Sequence, residues 1–286
     1  MDPTSSKLIL ASAGSASQGE EYIGTYNFHN PQDYTTYTWQ VPVDVFYIQA
    51  FCLGSGALPD GYVNSFQGGD GGGGGASIAV IPVTAGETLK IGVGQVNNNG
   101  SSSKSFGGAG GGFSGIFRGS TPLIIAGGGG GGQVNGTASG GAGGGINGQM
   151  SSDGYAGGGQ SPGSNNSGYL SSGTGGGGGY YGGGGNQWYH ASGGGSGYIN
   201  AAGNIHAQTA AGSGRIIPSL ASGNTDYQQA PSTSPNGLAH GYGGIGNNSN
   251  NYQYGTGLVI IHTLGSGYSP AYSPSIPFPR TVLATY

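Results

Sequence analysis

The side chains that most often carry out catalysis are few in this sequence, and their spacing suits no common reaction. The five histidines never stand at metal-ligand spacing, and Cys52 is alone, so it offers no second sulfur. The ten acidic residues form no evident catalytic carboxylate pair, and no G-x-S-x-G nucleophile motif is present. We therefore expect no enzymatic activity, no metal site and no cofactor.

One segment superficially matches a nucleotide-binding motif. The run LIIAGGGGGG at 123–132 contains G-x-G-x-x-G directly after a predicted strand. A block of glycines satisfies that pattern trivially, and the motif has meaning only where a helix follows it. Glycine and serine continue here for dozens of residues, so we expect no dinucleotide site.

Aromatic residues beside the glycine blocks are better suited to recognition than to catalysis. Tyr and Trp give a large contact area at a low entropy cost, and Ser, Gly and Asn around them supply adaptable hydrogen bonds. The predicted contact residues are Tyr155, Tyr169, Tyr180, Tyr181, Trp188, Tyr189, His190 and Tyr198. Composition alone leaves two roles open: these residues bind a glycan or an outer-membrane protein, or they cover the glycine structure with apolar area.

The element that must position these residues is glycine itself, with 70 glycines among 286 residues. Glycine blocks usually form flexible linkers, because glycine loses more backbone freedom on folding than any other residue. A folded alternative is the polyglycine II helix, which has three residues per turn and no internal hydrogen bonds. Its backbone groups point sideways, so neighbouring helices can bond to one another. We predict such hydrogen-bonded rods, with turns at their ends.

The rest of the chain predicts a mainly β protein with no significant α-helix. Alternating apolar residues predict strands at 34–41, 43–53, 76–83, 88–94, 122–126 and 257–264. The residues 76–94 suggest a hairpin with its turn at 84–87. Together these features predict an antiparallel β framework packed with polyglycine II helices.

Four regions differ in composition. Residues 1–30 are ordinary and are predicted to attach the protein to a larger particle, with Leu8, Ile9 and Leu10 as the anchor. Residues 31–106 form the predicted β framework, and residues 107–197 form the rods. Residues 198–286 hold a closing strand and a Pro-rich tail.

Charge and hydropathy exclude several classes of partner. Six Lys and Arg stand against ten Asp and Glu, for a formal net charge of -4, so there is no basic surface for nucleic acid. The apolar run 8–11 is too short for a signal peptide, and no segment approaches the roughly 18 apolar residues of a membrane span. We expect a protein made in the cytoplasm that does not insert into a membrane.

Three segments resemble the glycine-rich domain of bacteriophage virion proteins. They are TYTWQVPVDVFYIQAFCLGSGA, GGDGGGGGASIAVIPVTAGETLKIGVGQ and GGFSGIFRGSTPLIIAGGGGGG. The closing GLVIIHT is also similar, although the basic residue expected beside it is missing. SSKLILASAGSASQGEEYIGTY separately resembles the opening of structural proteins of marine, cyanophage-like viruses. Polyglycine rods also occur in the similar glycine-rich region of anaplastic lymphoma kinase-type receptors.

The resemblance implies a virion protein, by analogy with polyglycine tail-tip adhesins. We expect a tail fibre or tip component, a homo-oligomer that contacts other virion proteins and the host surface. The alternative is a capsid or tail decoration, or a filament subunit, with a purely structural role. In that case the aromatic turns would be buried in subunit contacts.

Overall fold

The structure is a computed structural model. It describes residues 22–29, 35–59, 68–96, 108–133, 136–158, 174–185, 190–201, 203–222, 227, 238–246, 254–265 and 268.

Within these residues, ten strands form two antiparallel sheets of five strands each. The strands are β1 (Tyr22–Phe28), β2 (Thr35–Gln40), β3 (Tyr47–Leu53), β4 (Ala76–Pro82), β5 (Thr88–Val93), β6 (Ser114–Arg118), β7 (Thr121–Ala126), β8 (Tyr198–Ile199), β9 (Ile205–Ala210) and β10 (Leu258–Leu264). The first sheet has the order β1-β10-β3-β4-β9, and the second has the order β2-β5-β6-β7-β8. One short helix, α1 (Ser219–Ser222), lies between β9 and β10. The mainly β prediction is confirmed.

The main core lies between the two sheets, because alternate side chains of each strand point to the same face. Ile48, Ala50 and Cys52 of β3 are fully buried in this core, together with residues of both sheets. Phe51 on the opposite face of β3 belongs to a second buried cluster that includes Ala221 of α1. Cys52 is thus a packing residue, and burial raises the pKa of its thiol.

The predicted hairpin at 76–94 is wrong. Strand β4 pairs with β3 and β9 in the first sheet, whereas β5 pairs with β2 and β6 in the second. The turn at 84–87 forms where it was predicted, with Gly86 at φ 77°, but it carries the chain from one sheet to the other. A turn signal fixes where the chain reverses and does not fix whether the flanking strands hydrogen-bond.

One end of the two sheets, which we name the base, holds the turns at 41–46, 84–87 and 118–121. There, Nε and Nη2 of Arg118 donate hydrogen bonds to the two carboxylate oxygens of Glu87, at 2.8 and 2.9 Å. Desolvation raises the pKa of Glu87, but its hydrogen bonds and the charge of Arg118 lower it by more. Strand β1 begins at the base and β10 ends there, since Tyr22 pairs with Leu264. The described fold is therefore entered and left at the same end.

At the opposite end the strands continue into small-residue segments, which we name the glycine lattice. Strand β3 leads directly into the segment 54–58, and β7 leads into 127–133. Strands β4 and β10 directly follow the segments 68–75 and 254–257. The lattice comprises 54–58, 68–75, 108–112, 127–133, 138–145, 148–158, 174–185, 191–197, 241–246 and 254–257. Its segments bond to one another through their backbones, with N to O distances such as 2.8 Å from Gly72 to Gly130. The prediction placed the glycine rods beside the β framework. The lattice instead extends the two sheets from one end.

The hydrogen bonds of the central segment 127–132 repeat every third residue. Gly128 and Gly131 both donate to the segment 174–178, at 2.8 and 2.9 Å. No hydrogen bond joins two residues of this described segment, and its N–H and C=O groups together reach six neighbours. These are 54–58, 68–75, 108–112, 138–141, 174–178 and 191–197. A three-residue repeat directed outward is the arrangement expected of polyglycine II. Dihedral angles of about -75° and +145° along the segment stay a prediction.

The predicted division of the chain into four regions does not match the fold. Strand β1 pairs with β10, so the boundary at residue 30 cuts residues 22–28 away from the sheet to which they belong. Strands β6 and β7 lie inside the predicted rod region, while the lattice takes in 54–58 and 241–246 from outside it. None of the described helices is long and apolar enough to cross a membrane.

Candidate functional site

The glycine lattice ends in a set of turns at the side farthest from the sheets, which we name the tip. The described residues that end its segments there are Leu58, Gly69, Gln133, the turn 151–155, Thr174, His190 and Gly246. Backbone hydrogen bonds between neighbouring segments show that these ends lie side by side. Gly69 donates to the carbonyl of Gln133 at 3.1 Å, and Gly132 donates to that of Leu58 at 3.2 Å. Rigid segments thus hold their turns at one end, as scaffolds commonly do for binding loops.

A cluster of polar and aromatic side chains lies at the tip. It consists of Ser151, Asp153, Tyr155 and His190, and we name it the tip cluster. The turn is closed by paired backbone bonds, from the Ser151 N–H to the Tyr155 carbonyl at 2.9 Å and from the Gly154 N–H to the Ser151 carbonyl at 3.0 Å. The Ser151 hydroxyl also accepts from the Tyr155 N–H at 2.9 Å. These bonds fix the backbone that carries Asp153 and Tyr155.

Asp153 ties this turn to the start of the segment 191–197. Its Oδ1 accepts from the Ser151 hydroxyl at 2.6 Å, and its Oδ2 accepts from the Ala191 N–H at 3.1 Å. The Nδ1–H of His190 also donates to Oδ2 at 3.1 Å. The carboxylate is only 19% exposed, whereas the imidazole is 45% exposed. Asp153 is therefore satisfied from within, and its bond to Nδ1 fixes the orientation of an accessible imidazole.

The rings of Tyr155 and His190 lie together, with centroids 5.0 Å apart and planes at 44°. Both are partly exposed. Bonded through Nδ1, the imidazole has its Nε2 atom on the opposite edge, and no described residue bonds to that atom. The pair offers aromatic area and one hydrogen-bonding nitrogen.

The other predicted contact residues in the described chain form a separate cluster, which we name the junction cluster. Tyr180 stacks on Tyr198 with centroids 4.2 Å apart, and Tyr181 packs edge-on against Tyr180 at 4.7 Å. Tyr198 belongs to β8 and pairs with Ile125 of β7, so this cluster lies where the lattice meets the second sheet. The segment 191–197 separates it from His190 by about 25 Å, at roughly 3.1 Å per residue. The predicted contact residues are thus divided between the two ends of the lattice.

Tyr169, Trp188 and Tyr189 lie outside the described residues. The two residues that flank the last pair, Gly185 and His190, are described, and His190 belongs to the tip cluster. The predicted anchor residues Leu8, Ile9 and Leu10 also lie outside the described chain, which begins at Tyr22 of the base.

Sequence reasoning missed Ser151 and Asp153. The local signal was present, since S-S-D-G is a typical turn sequence in which a short polar side chain bonds nearby backbone. The contact of Asp153 with His190, 37 residues further along the chain, has no local signal. It depends on the order in which the glycine segments pack.

In the described part of the chain, no three His, Cys, Asp or Glu side chains converge as a metal site would require. No protein-family model matches this sequence, and no curated protein is detectably similar to it.

His240 is a buried histidine away from both clusters, and it gives a prediction about acid stability. Its Nδ1 lies 3.1 Å from the Thr256 hydroxyl, while its buried Nε2 has no described partner. Burial lowers the pKa of His240, the hydrogen bond that its Nδ1–H donates to the Thr256 carbonyl opposes this effect, and the neighbouring His29 lowers the pKa further. The unfolded chain, with a histidine pKa of about 6.5, therefore binds this proton more readily than the folded protein does.

The stabilising contribution of neutral His240 is complete above the unfolded pKa and is lost as the pH falls below it. We expect the thermal midpoint of the protein to be lower at pH 5 than at pH 7.5. His240→Gln, which cannot take up the proton, should show a smaller fall. Parallel curves for the two proteins would remove His240 as the cause.

Proposed function

We propose that this protein is a surface component of a bacteriophage virion, a tail fibre or tip component whose tip contacts the host. Its site of action is the virion, which it reaches from the host cytoplasm. The base attaches to other virion proteins, and the aromatic turns of the tip make the host contact. The proposal includes self-association into a homo-oligomer.

One observation carries the proposal, and it is the polarity of the molecule. The described chain enters the fold at Tyr22 and leaves it at Leu264, and these two residues are paired at the base. One set of the turns that join glycine segments, which includes the turn 151–155, lies at the opposite end, whereas the turns at 145–147 and 179–181 lie beside the sheets. A protein attached through the segments before β1 or after β10 would present its tip outward. The base also carries exposed apolar side chains, Val43 at 76% and Phe46 at 51%, which suit a contact with another protein.

A purely structural role is the second candidate, and exposed apolar side chains on the flank of the lattice favour it. Ile146 is 64% exposed and Ile216 is 53% exposed. Ile146 follows Gly145, whose neighbour in space is Ala211, and Ile216 is bridged to Ser213 of the same turn region. In a decoration or filament subunit these residues would be buried between copies, and so would the tip cluster.

Mapping the protein on an intact particle by cryo-electron microscopy separates the two candidates. We expect density for the base against the particle and the tip cluster exposed to solvent. Density in which Tyr155 and His190 are covered by a neighbouring subunit would contradict the host-contact role and leave the structural one.

Attachment through the first residues can be tested by truncation. The deletion has to stop before Tyr22, because β1 is paired with β10 in the sheet. We expect a protein lacking residues 2–20 to fold with an unchanged thermal midpoint and to be missing from assembled particles. Leu8→Asp combined with Leu10→Asp is the matched full-length control and should give the same loss. Normal incorporation of both proteins would move the anchor to the Pro-rich tail from Pro270 onward.

A further inference from the structure

We propose that the tip cluster is a binding site for a neutral saccharide, in which Tyr155 covers a sugar ring and His190 bonds a hydroxyl group. This inference rests on the proposed host contact and names the chemistry of its ligand. It concerns the described residues Ser151, Asp153, Tyr155 and His190.

The shape of the aromatic pair suits a sugar ring. A pyranose ring has an apolar face of C–H groups and a rim of hydroxyls, so it suits an aromatic face next to a hydrogen-bonding group. The Tyr155 and His190 rings lie 5.0 Å apart with planes at 44°, which gives an angled apolar surface of about one sugar unit. A protein partner needs about 800 Å² on each side with an apolar centre, far more than two rings supply.

The tip cluster is also preorganised. Asp153 holds His190 through Nδ1, and Ser151 holds the backbone of Tyr155 on both its N–H and its carbonyl. Groups that are fixed before binding lose little conformational entropy when the ligand arrives. With Nδ1–H donated to Asp153, Nε2 is the ring nitrogen left to form a hydrogen bond with a sugar hydroxyl, which can both donate and accept.

Among the described tip residues, no carboxylate is left unpaired and no Lys or Arg is present. Asp153 is mostly buried and accepts three hydrogen bonds. Asp70, the other described acid near this end, accepts from the Gly246 N–H at 2.7 Å. The described cations Lys90 and Arg118 belong to the sheets, and Arg215 lies beside Gly73 in the middle of the lattice. An acidic sugar or a charged polypeptide loop would find no counter-ion among these residues.

The test is saturation-transfer NMR on the purified full-length protein with neutral methyl glycosides, namely the glucoside, galactoside, mannoside and N-acetylglucosaminide. We expect at least one to receive saturation on the C–H protons of a single ring face. Tyr155→Ala should weaken that binding about tenfold or more, as loss of a central aromatic contact does. Tyr155→Phe should retain it. No saturation of any of these glycosides would overturn the proposal.

Two further variants separate a binding role from a structural one. Tyr180→Ala, which alters an exposed tyrosine of the junction cluster, should bind as the unchanged protein does. Asp153→Asn should weaken binding while leaving Tyr155 in place, because the imidazole loses its fixed orientation. Equal losses in Tyr180→Ala and Tyr155→Ala would overturn the assignment to the tip.

A second experiment tests the proposed host contact separately from the proposed saccharide ligand. Adsorption of the protein is measured on bacterial envelopes oxidised with periodate, which destroys vicinal diols, and on envelopes digested with protease. If the ligand is a saccharide, we expect adsorption to be lost after periodate treatment and retained after protease digestion. The reverse result would keep the host-contact function and overturn the saccharide in favour of a protein receptor. No adsorption to any untreated envelope would overturn both.

Discussion

Gly129→Val should abolish folding of the protein, and Gly129→Ala should be nearly as damaging. Gly129 is the middle of the central segment 127–132, which bonds to six neighbours. A Cβ atom built on it falls on the carbonyl oxygen of Gly72 and lies 3.0 Å from the Gly72 Cα. The obstacle is backbone that is itself hydrogen-bonded, since Gly72 donates to Gly130 at 2.8 Å. It cannot rotate away as a side chain could.

The clash must therefore separate two segments of the lattice and break their hydrogen bonds. We expect a cost above about 4 kcal/mol, in the range reached only by overpacking or loss of a buried network. That is a large share of the roughly 5–15 kcal/mol that stabilises a typical domain. The expected result is insoluble protein or a thermal midpoint lowered by at least about 10 °C.

Gly203→Ala is the matched control for this substitution. Gly203 is exposed, has no atom within 4 Å of a built Cβ, and does not have a positive φ. Its replacement should leave the midpoint almost unchanged. If Gly129→Ala melted like Gly203→Ala, the segments would have to be loose, and a bonded glycine lattice would be the wrong description of this region.

The sequence predicted the strands that are rich in apolar residues and missed those that are not. Strand β3, with its buried run from Ile48 to Leu53, was expected, and so was β10. Strand β1 was missed because Gly24 interrupts its pattern, at the point where its pairing with β10 shifts register. Strand β9 was missed because IHAQTA carries little apolar signal, and it is held by its pairing with β4.

The glycine segments were predictable as a class, while their arrangement was not. A block of glycines such as 127–132 indicates that other backbone segments pack closely around it on all sides. Shorter segments such as 54–58 carry no such signal, because Ser55 and Ala57 dilute their glycines. Which segment lies beside which is decided by hydrogen bonds between residues far apart in the chain. The division of the aromatic residues between tip and junction follows from that packing, and composition contains no trace of it.

Trp188→Ala combined with Tyr189→Ala should abolish adsorption of the purified protein to host cells while leaving the fold intact. The pair follows Gly185 and precedes His190, and His190 is a member of the tip cluster with its imidazole 45% exposed. Two large aromatic residues directly before His190 in the sequence are expected to supply most of the contact area. Loss of two such anchors removes about 4 kcal/mol or more of binding free energy, which is roughly a thousandfold in affinity.

The salt dependence of adsorption gives an independent check on the nature of this contact. Only 6% of the residues are charged, and the two described carboxylates near the tip, Asp70 and Asp153, are hydrogen-bonded inward. Binding through aromatic faces and neutral hydrogen bonds should change little when salt is raised from low to physiological concentration, whereas exposed charge pairs would be screened.

Tyr180→Ala combined with Tyr198→Ala is the matched control for the adsorption experiment. It removes two aromatic rings at the junction cluster, which stack at 4.2 Å, about 25 Å from the tip. We expect this variant to adsorb normally even if its thermal midpoint falls. Full adsorption by a folded Trp188→Ala, Tyr189→Ala protein would contradict the host-contact role. Loss of adsorption in the junction variant alone would place the contact on the flank of the lattice, where subunits of a purely structural protein would meet.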